Sequence, residues 1–130
     1  MQILQPPGWA KPRGYSNGIA AKGTLVFVAG QIGWRADGTW ETDDFAGQFA
    51  QALRNVVAVC AEAGAGPQHI VRLAWFITSK REYLAALKEV GAAYREIMGR
   101  TYPTMTVVEV GALVEDRAKI EIEATAVVPD

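Results

Sequence analysis

The chain has 130 residues, of which 50% are hydrophobic and 21% charged, and its formal net charge is -1. This length and composition predict one globular domain over residues 1–130, with an irregular arm of residues 1–13 that contains three prolines. The near-neutral charge, without a basic block, argues against a nucleic-acid partner, and no stretch reaches the roughly 18 apolar residues of a membrane span. The single cysteine cannot form an intramolecular disulfide, so a reducing, cytoplasmic location is expected.

The first half of the chain predicts a strand, a tight turn and a helix. Residues 24–30, TLVFVAG, are β-branched, aromatic and apolar, which is typical of a strand covered on both faces. Asp37-Gly38 is a turn signal, and Thr42-Asp43-Asp44 offers caps for the helix that follows. This helix should end near Gly64, and its apolar residues have helical spacing: Phe45, Phe49, Leu53, Val56, Val57 and Cys60.

The second half predicts a strand over residues 69–78, a helix that opens with the capping-box pair Ser79 and Glu82, and strands over residues 104–110 and 118–128. The helix should end at Gly99, and its apolar residues recur at spacings of three and four: Leu84, Leu87, Val90, Tyr94 and Ile97. This order of elements predicts an α+β fold with the helices on one face of the sheet.

The strands carry apolar residues for a second face of the sheet as well. By alternation we assign to that face Val26, Val28, Trp75, Ile77, Val108 and Val110. Two helices cannot cover both faces of a sheet, and contiguous exposed apolar surface usually marks a protein interface. The sequence therefore predicts a homo-oligomer.

Five stretches, in this order, resemble the RidA family of reactive-intermediate deaminases. They are GYSNGIAAKGTLVFVAGQIGW, ALRNVVAVCAEAGAG, IVRLAWFIT, AAYREIMGRTYPTMTVVEVGAL and KIEIEATA, and together they cover nearly the whole chain from residue 14 onward. The resemblance implies a chorismate-mutase-like fold, with a six-stranded mixed sheet and two helices on one face. It also implies a homotrimer that binds small molecules in clefts between its subunits, without a cofactor.

Four residues of the family's cleft are retained. Tyr15 matches the tyrosine of an early motif, Gly30 and Gln31 match the end of a V-S-G-Q motif, and Glu121 matches a glutamate of the last strand. The resemblance implies that Glu121 holds a water, that Tyr15 closes over the ligand and that the backbone at residues 30–31 binds a carbonyl. Each also has a purely structural interpretation: a solvent-facing glutamate on an alternating strand, a packed tyrosine ring, and a strand end or bulge.

Other positions depart from the family pattern. Met105 stands where the family has the arginine of P-x-R-S that clamps a carboxylate, and Thr106 follows it. Ala29, Gly91 and Val107 replace a serine, an asparagine and a cysteine. Arginine grips a carboxylate with a planar fork of donors, whereas a thioether offers one weak acceptor, and losing such a pair costs about 2–4 kcal/mol. We therefore expect a less polar cleft, lined by Met105 and Thr106, that binds the usual amino-acid-derived imine poorly.

Two functions remain open on the sequence. The first is a hydrolytic deaminase of a small enamine, imine or aminomuconate-like metabolite, with Glu121 as the catalytic residue and candidate cleft walls in Trp34, Trp40 and Trp75. The alternative is a non-catalytic trimeric module that binds small molecules or a protein in the same clefts. RNA cleavage, attached to some relatives, gains no support from the charge. No metal site is expected, because His69 has no ligand cluster around it and Cys60 lies on the apolar face of its helix.

Overall fold

The computed structural model describes residues 1–130. The strands are β1 Gln2–Leu4, β2 Gly18–Ala20, β3 Thr24–Ile32, β4 Ile70–Ile77, β5 Thr104–Glu109 and β6 Ile120–Val128. The helices are α1 Phe45–Glu62, α2 Lys80–Ala85 and α3 Leu87–Met98, and a short 3₁₀ turn covers Pro67–His69. The fold is therefore α+β, as predicted, and the core strands and helices lie within a few residues of their expected bounds.

The six strands form two sheets. The main sheet has the order β3-β6-β4-β5, with β6 antiparallel to both neighbours and β4 parallel to β5. Strands β1 and β2 pair only with each other, from Gln2 opposite Ala20 to Leu4 opposite Gly18. The mixed sheet is thus confirmed, but it has four strands instead of six. The expectation that residues 1–13 are entirely irregular is wrong, because the apolar segment before the first proline pairs as a strand.

Helix α1 begins after the predicted cap and buries the predicted apolar face. The Asp44 side chain accepts a hydrogen bond from the Gly47 amide at 3.0 Å and caps the helix. One face of α1 is buried against the sheet and includes Phe49, Leu53 and Cys60. This helix therefore anchors the single core cluster of the protein.

The second predicted helix is divided in two. Ser79 caps α2 by accepting from the Glu82 amide at 3.1 Å, but the Glu82 carboxylate binds Lys119 Nζ at 2.8 Å instead of completing the capping box. At Ala86 the backbone leaves helical geometry (φ -105°, ψ 11°), and its amide donates to the carbonyls of both Glu82 and Tyr83. The bend lets Tyr83 contact aromatic residues of the core, while Leu84 and Leu87, expected to be apolar-face residues, remain about half exposed.

The two faces of the main sheet differ from our assignment. Val28, Trp75 and Ile77 lie on the helix-covered face and are buried in the core. The uncovered face instead carries Leu25 and Phe27, whose exposed fractions are 58% and 74%. Alternation gives two groups within each strand but not which group faces the helices, so the assignment is wrong on β3 and β4 and correct for Val108 on β5. An exposed apolar face remains, as the sequence predicted, and Val108 lies on it as assigned, together with Leu25 and Phe27.

A buried glutamine joins α1 to the connection before β6. Gln48 Nε2 donates to the carbonyl of Arg117 at 3.0 Å and to that of Thr42 at 3.3 Å, and its Oε1 accepts from the Lys119 amide at 2.8 Å. A Cβ added at Gly33 would come within 2.7 Å of this residue, so the chain after β3 passes directly against it. Gln48 thus fixes two connections to the centre of the fold.

Candidate functional site

The main cavity lies between β4, β5 and the two helices α2 and α3. Its volume is about 590 Å³. Most of its walls are apolar or aromatic, and it is lined by Arg13, Gly14, Tyr15, Trp75, Tyr83, Leu87, Val90, Gly91, Tyr94, Arg95, Tyr102, Met105 and Val107. A cavity of this size and character is suited to a small molecule with an apolar body.

Tyr15 is held at the edge of this cavity by its neighbour in the chain. The Ser16 amide donates to the carbonyl of Pro103 at 3.1 Å, and the Ser16 hydroxyl donates to the carbonyl of Tyr102 at 2.6 Å. Ser16 also forms an isolated parallel bridge with Thr104, the first residue of β5. Tyr15 is 41% exposed, so the backbone of its neighbour fixes its position while the residue remains accessible to solvent.

Aromatic rings build one wall of the cavity. Tyr94 stacks on Tyr102 with 6.2 Å between ring centroids, and Trp75 contacts Tyr94 and Tyr83 at 6.4 and 6.3 Å. Burial raises the pKa of Tyr94, with a further contribution from the neighbouring Tyr102, and burial also raises the pKa of Tyr83. The two phenols are therefore neutral near pH 7. The Trp75 Nε1 donor is buried and has no partner within the protein.

Met105 is paired with Leu73 on the helix-covered side of the sheet and contacts the edge of the core. Val107 follows it on the same face of β5, and Gly91 of α3 lies across the cavity. The structure therefore brings together Tyr15 and three of the positions that depart from the family pattern. Together these three residues supply no hydrogen-bonding side chain to the cavity.

The remaining predicted site residues form a second group on β3 and β6. A register shift between Val28 and Gln31 places Gly30 in a bulge. A Cβ added at Gly30 would lie 2.7 Å from Cδ of Glu121, so the carboxylate of Glu121 rests directly over this glycine. Gln31 Nε2 donates to the Ala29 carbonyl at 3.1 Å. Glycine at position 30 is what allows the side chain of Glu121 to approach the backbone so closely.

The two groups do not meet within one chain. Strand β3, with Gly30 and Gln31, is three strand spacings or about 14 Å from β5, and β6, with Glu121, is two spacings or about 10 Å from β5. Glu121 and Thr106 belong to the uncovered face, whereas the Met105 side chain enters the cavity on the helix-covered side. Thr106 is exposed there and does not line the cavity within one chain, so its part in ligand binding stays a prediction.

Sequence reasoning missed two arginines that line the cavity, Arg13 and Arg95. The available signal was their position, because Arg13 lies two residues before Tyr15 and Arg95 lies one helical turn after Gly91. Of the candidate tryptophan walls only Trp75 reaches this cavity. Trp34 and Trp40 contact each other elsewhere, with 6.0 Å between their ring centroids.

Other chemically interesting residues have structural partners. The His69 Nδ1 atom accepts from the Gly66 amide at 3.0 Å, and Cys60 is buried in the core, where burial raises the pKa of its thiol. Glu109 accepts from the Lys80 amide at 2.7 Å, at the start of α2. No group of three or more His, Cys, Asp or Glu residues is arranged to hold a metal ion. None of the helices combines the length and hydrophobicity needed to cross a bilayer.

Comparisons with known proteins agree with this architecture. Residues 9–128 match the family described as endoribonuclease L-PSP. A RutC family protein from Synechocystis is 33% identical over 99% of this chain and 98% of its own length. The 2-iminobutanoate/2-iminopropanoate deaminase of Salmonella typhimurium is 32% identical over 81% of this chain and 80% of its own length.

Two solved structures have the same fold. A Rid family protein, YyfB, from Yersinia pestis is 28% identical with a TM-score of 0.84, and the alignment covers 98% of both chains. TdcF from Escherichia coli, solved with bound serine, is 30% identical with a TM-score of 0.70 and 98% and 99% coverage.

The four-stranded mixed sheet, its outer helices and the lateral cavity define a protein of the Rid class. The chain belongs to the endoribonuclease L-PSP family, which includes the RutC and RidA proteins, and the family predicted from the sequence is thereby confirmed.

Proposed function

We propose that this protein is a hydrolytic deaminase of a small imine or of its enamine tautomer. The observation that carries the proposal is the cavity beside Met105, which contains Tyr15 and Gly91 at positions corresponding to the family's ligand cleft. A deaminase of two imino acids is among the relatives that align with most of the chain. The apolar floor at Met105 and Val107 would favour a substrate with a larger apolar body than those short imino acids.

The complete site would form between subunits of a homotrimer. The uncovered face of the sheet, with Leu25 and Phe27, supplies the apolar surface that subunit contact would bury. Because Gly30 lies on the edge strand β3 and Glu121 on the uncovered face of the neighbouring strand β6, both would meet the cavity of a neighbouring protomer. Such a cleft would unite the two groups of site residues.

In this site the reaction adds water across a C=N bond. The enamine is first protonated on carbon to the iminium ion, and a water held by Glu121 attacks the iminium carbon while the Glu121 carboxylate accepts a proton from this water. The resulting carbinolamine is protonated on nitrogen by the Glu121 carboxyl group, and the C–N bond breaks with release of ammonia. Loss of the remaining hydroxyl proton leaves the carbonyl product, so neither an oxidant nor a cofactor is needed.

A second candidate function is a trimeric binding module without catalysis. It is favoured by the loss of polar side chains at Ala29, Met105 and Val107 and by the position of Glu121 on the sheet face opposite the cavity. The family description refers to an endoribonuclease, but a net charge of -1 does not favour RNA as a partner here.

Ammonia release distinguishes these functions. The assay uses 2-aminoacrylate, longer aliphatic and aromatic 2-imino acids, and imines whose carboxylate ends an extended apolar chain, all generated in situ, with the wild type and the variants Glu121→Gln and Glu123→Gln. Glu123 is the matched control, since it lies two residues along the same strand and face. We expect turnover of the longer imines, a loss of about 100-fold or more in Glu121→Gln, and little change in Glu123→Gln. Absence of turnover with every imine would favour the binding module.

The Met105→Arg variant tests the role of position 105. We expect this variant to gain activity toward 2-aminoacrylate, because the introduced guanidinium can bind the carboxylate of this short substrate. High wild-type activity toward 2-aminoacrylate would show that Met105 does not set the substrate size.

The assembly is tested separately by light scattering. We expect the wild type to have the mass of a trimer and Phe27→Glu to be monomeric, because a carboxylate cannot be buried without a partner. Leu84→Glu, at an exposed position on α2, is the matched control and should remain trimeric. A monomeric wild type would contradict the assignment of the site to subunit interfaces.

A further inference from the structure

The cavity carries positive charge that the protein itself leaves unpaired. Arg13 and Arg95 both line it, and no aspartate or glutamate does. The ion pairs of the structure involve other residues, and neither guanidinium donates a hydrogen bond to a protein acceptor. Two like charges beside an apolar cavity, with no counter-charge, favour an anionic ligand.

Gly91 provides the space in which the Arg95 side chain lies. A Cβ added at Gly91 would be 3.3 Å from Arg95 Nη1, which is closer than ordinary van der Waals contact. The guanidinium therefore lies along α3 over the residue one turn before it, the direction in which helical side chains point. A side chain at this position would require the guanidinium to shift by a few tenths of an ångström from where it now lies.

We propose that Arg95, seated over Gly91 and assisted by Arg13, binds the carboxylate of the ligand. The proposal rests on the proposed function, in which this cavity holds the substrate. The ligand's carboxylate would lie at the α3 side of the cavity, and its apolar or conjugated body would lie against Met105 and Trp75. The substrate class is then an imine or enamine whose carboxylate is carried at the end of an extended apolar body.

This arrangement explains how an apolar floor and an anionic substrate are compatible. The guanidinium offers a fork of donors to a carboxylate wherever it is placed, so the loss of arginine at position 105 does not remove anion binding from the cavity. It changes the distance between the bound carboxylate and the reacting carbon. Selection by length follows, because a short imino acid cannot contact Arg95 and reach the reacting groups of the cleft at the same time.

Binding of matched anionic and neutral probes tests this proposal. Phenylacetate and hexanoate are compared with phenylacetamide and hexanamide by calorimetry, using the wild type and the variants Arg95→Gln, Gly91→Ala and Arg54→Gln. Arg54, which is paired with Glu96 and does not line the cavity, provides the control. Circular dichroism shows whether each variant is folded, and Gly91→Ala should fold well because alanine favours a helix more than glycine does.

We expect the wild type to bind each carboxylate about 10- to 100-fold more tightly than its amide. Arg95→Gln should abolish this preference while amide binding stays within about twofold, Gly91→Ala should reduce it, and Arg54→Gln should leave it unchanged. If the preference persists in Arg95→Gln, another group binds the carboxylate and only this inference fails. If neither probe of either pair binds the wild type, the cavity is not the ligand site, and the proposed function fails with it.

Discussion

Replacing Gln48 with alanine should lower the free energy of unfolding by more than the loss of buried side-chain volume alone would. The substitution leaves the Lys119 amide and the Arg117 carbonyl without the partners that they have at 2.8 and 3.0 Å. An unpaired buried polar group costs about 1–3 kcal/mol, so the two together would cost about 2–6 kcal/mol if water could not reach them. Because this connection is only partly buried, we expect a loss near the lower end, about 3 kcal/mol including the cavity left in the core.

Urea unfolding followed by circular dichroism measures this loss, at one fixed protein concentration because the chain is expected to be oligomeric. Gln51→Ala is the matched control, since Gln51 lies one turn along the same helix and donates only to Asn55, at 2.9 Å. It should change the free energy of unfolding by less than about 1 kcal/mol. Equal losses in the two variants would refute the reasoning that Gln48 fixes the connection before β6.

Two further predictions concern the site. Gly30→Ala should lower the rate of imine hydrolysis about 10- to 100-fold while changing stability by only about 1 kcal/mol, because the added methyl displaces the movable carboxylate of Glu121. Unchanged turnover in this variant would show that Glu121 takes no part in the reaction. The pKa of Tyr94 is raised in the folded state, so the protonated phenol favours folding. This contribution to the free energy of unfolding is fully present below the unfolded tyrosine pKa of about 10, and it is lost as the pH rises through the folded pKa. The urea midpoint should therefore fall less from pH 8 to pH 10.5 in Tyr94→Phe than in the wild type, and identical falls would contradict this assignment.

Local sequence signals predicted most of the secondary structure. The Asp44 cap and the end of α3 at Gly99, which has φ +65°, are set by neighbours in the chain, so they could be read directly. The split of the second helix at Ala86 could not, because alanine is a good helix former and no local signal marks the bend. The short strand β1 was missed because its partner β2 was not recognised as a strand.

The candidate site was predicted only where the family pattern has a counterpart. Tyr15 and Met105 line one cavity, and their roles toward a ligand, like those of Gly30, Gln31 and Glu121, remain predictions. Arg95 was missed because its importance depends on a long-range fact, the proximity of α3 to β5, and on the absence of any carboxylate from the cavity. Neither is visible in the hydrophobic periodicity of α3.

The main sheet ends in two strands, β3 and β5, each of which has a sheet partner on one side only. Apart from the bridge at Thr104, the outer backbone donors and acceptors of β5 have no strand beside them, and β3 adds the exposed side chains of Leu25 and Phe27. Such edges invite pairing with any other extended chain, so a newly made protomer is open to aggregation until they are covered. The yield of folded protein should then depend on a competition between correct association and misassociation, and low temperature or slow expression should favour the former.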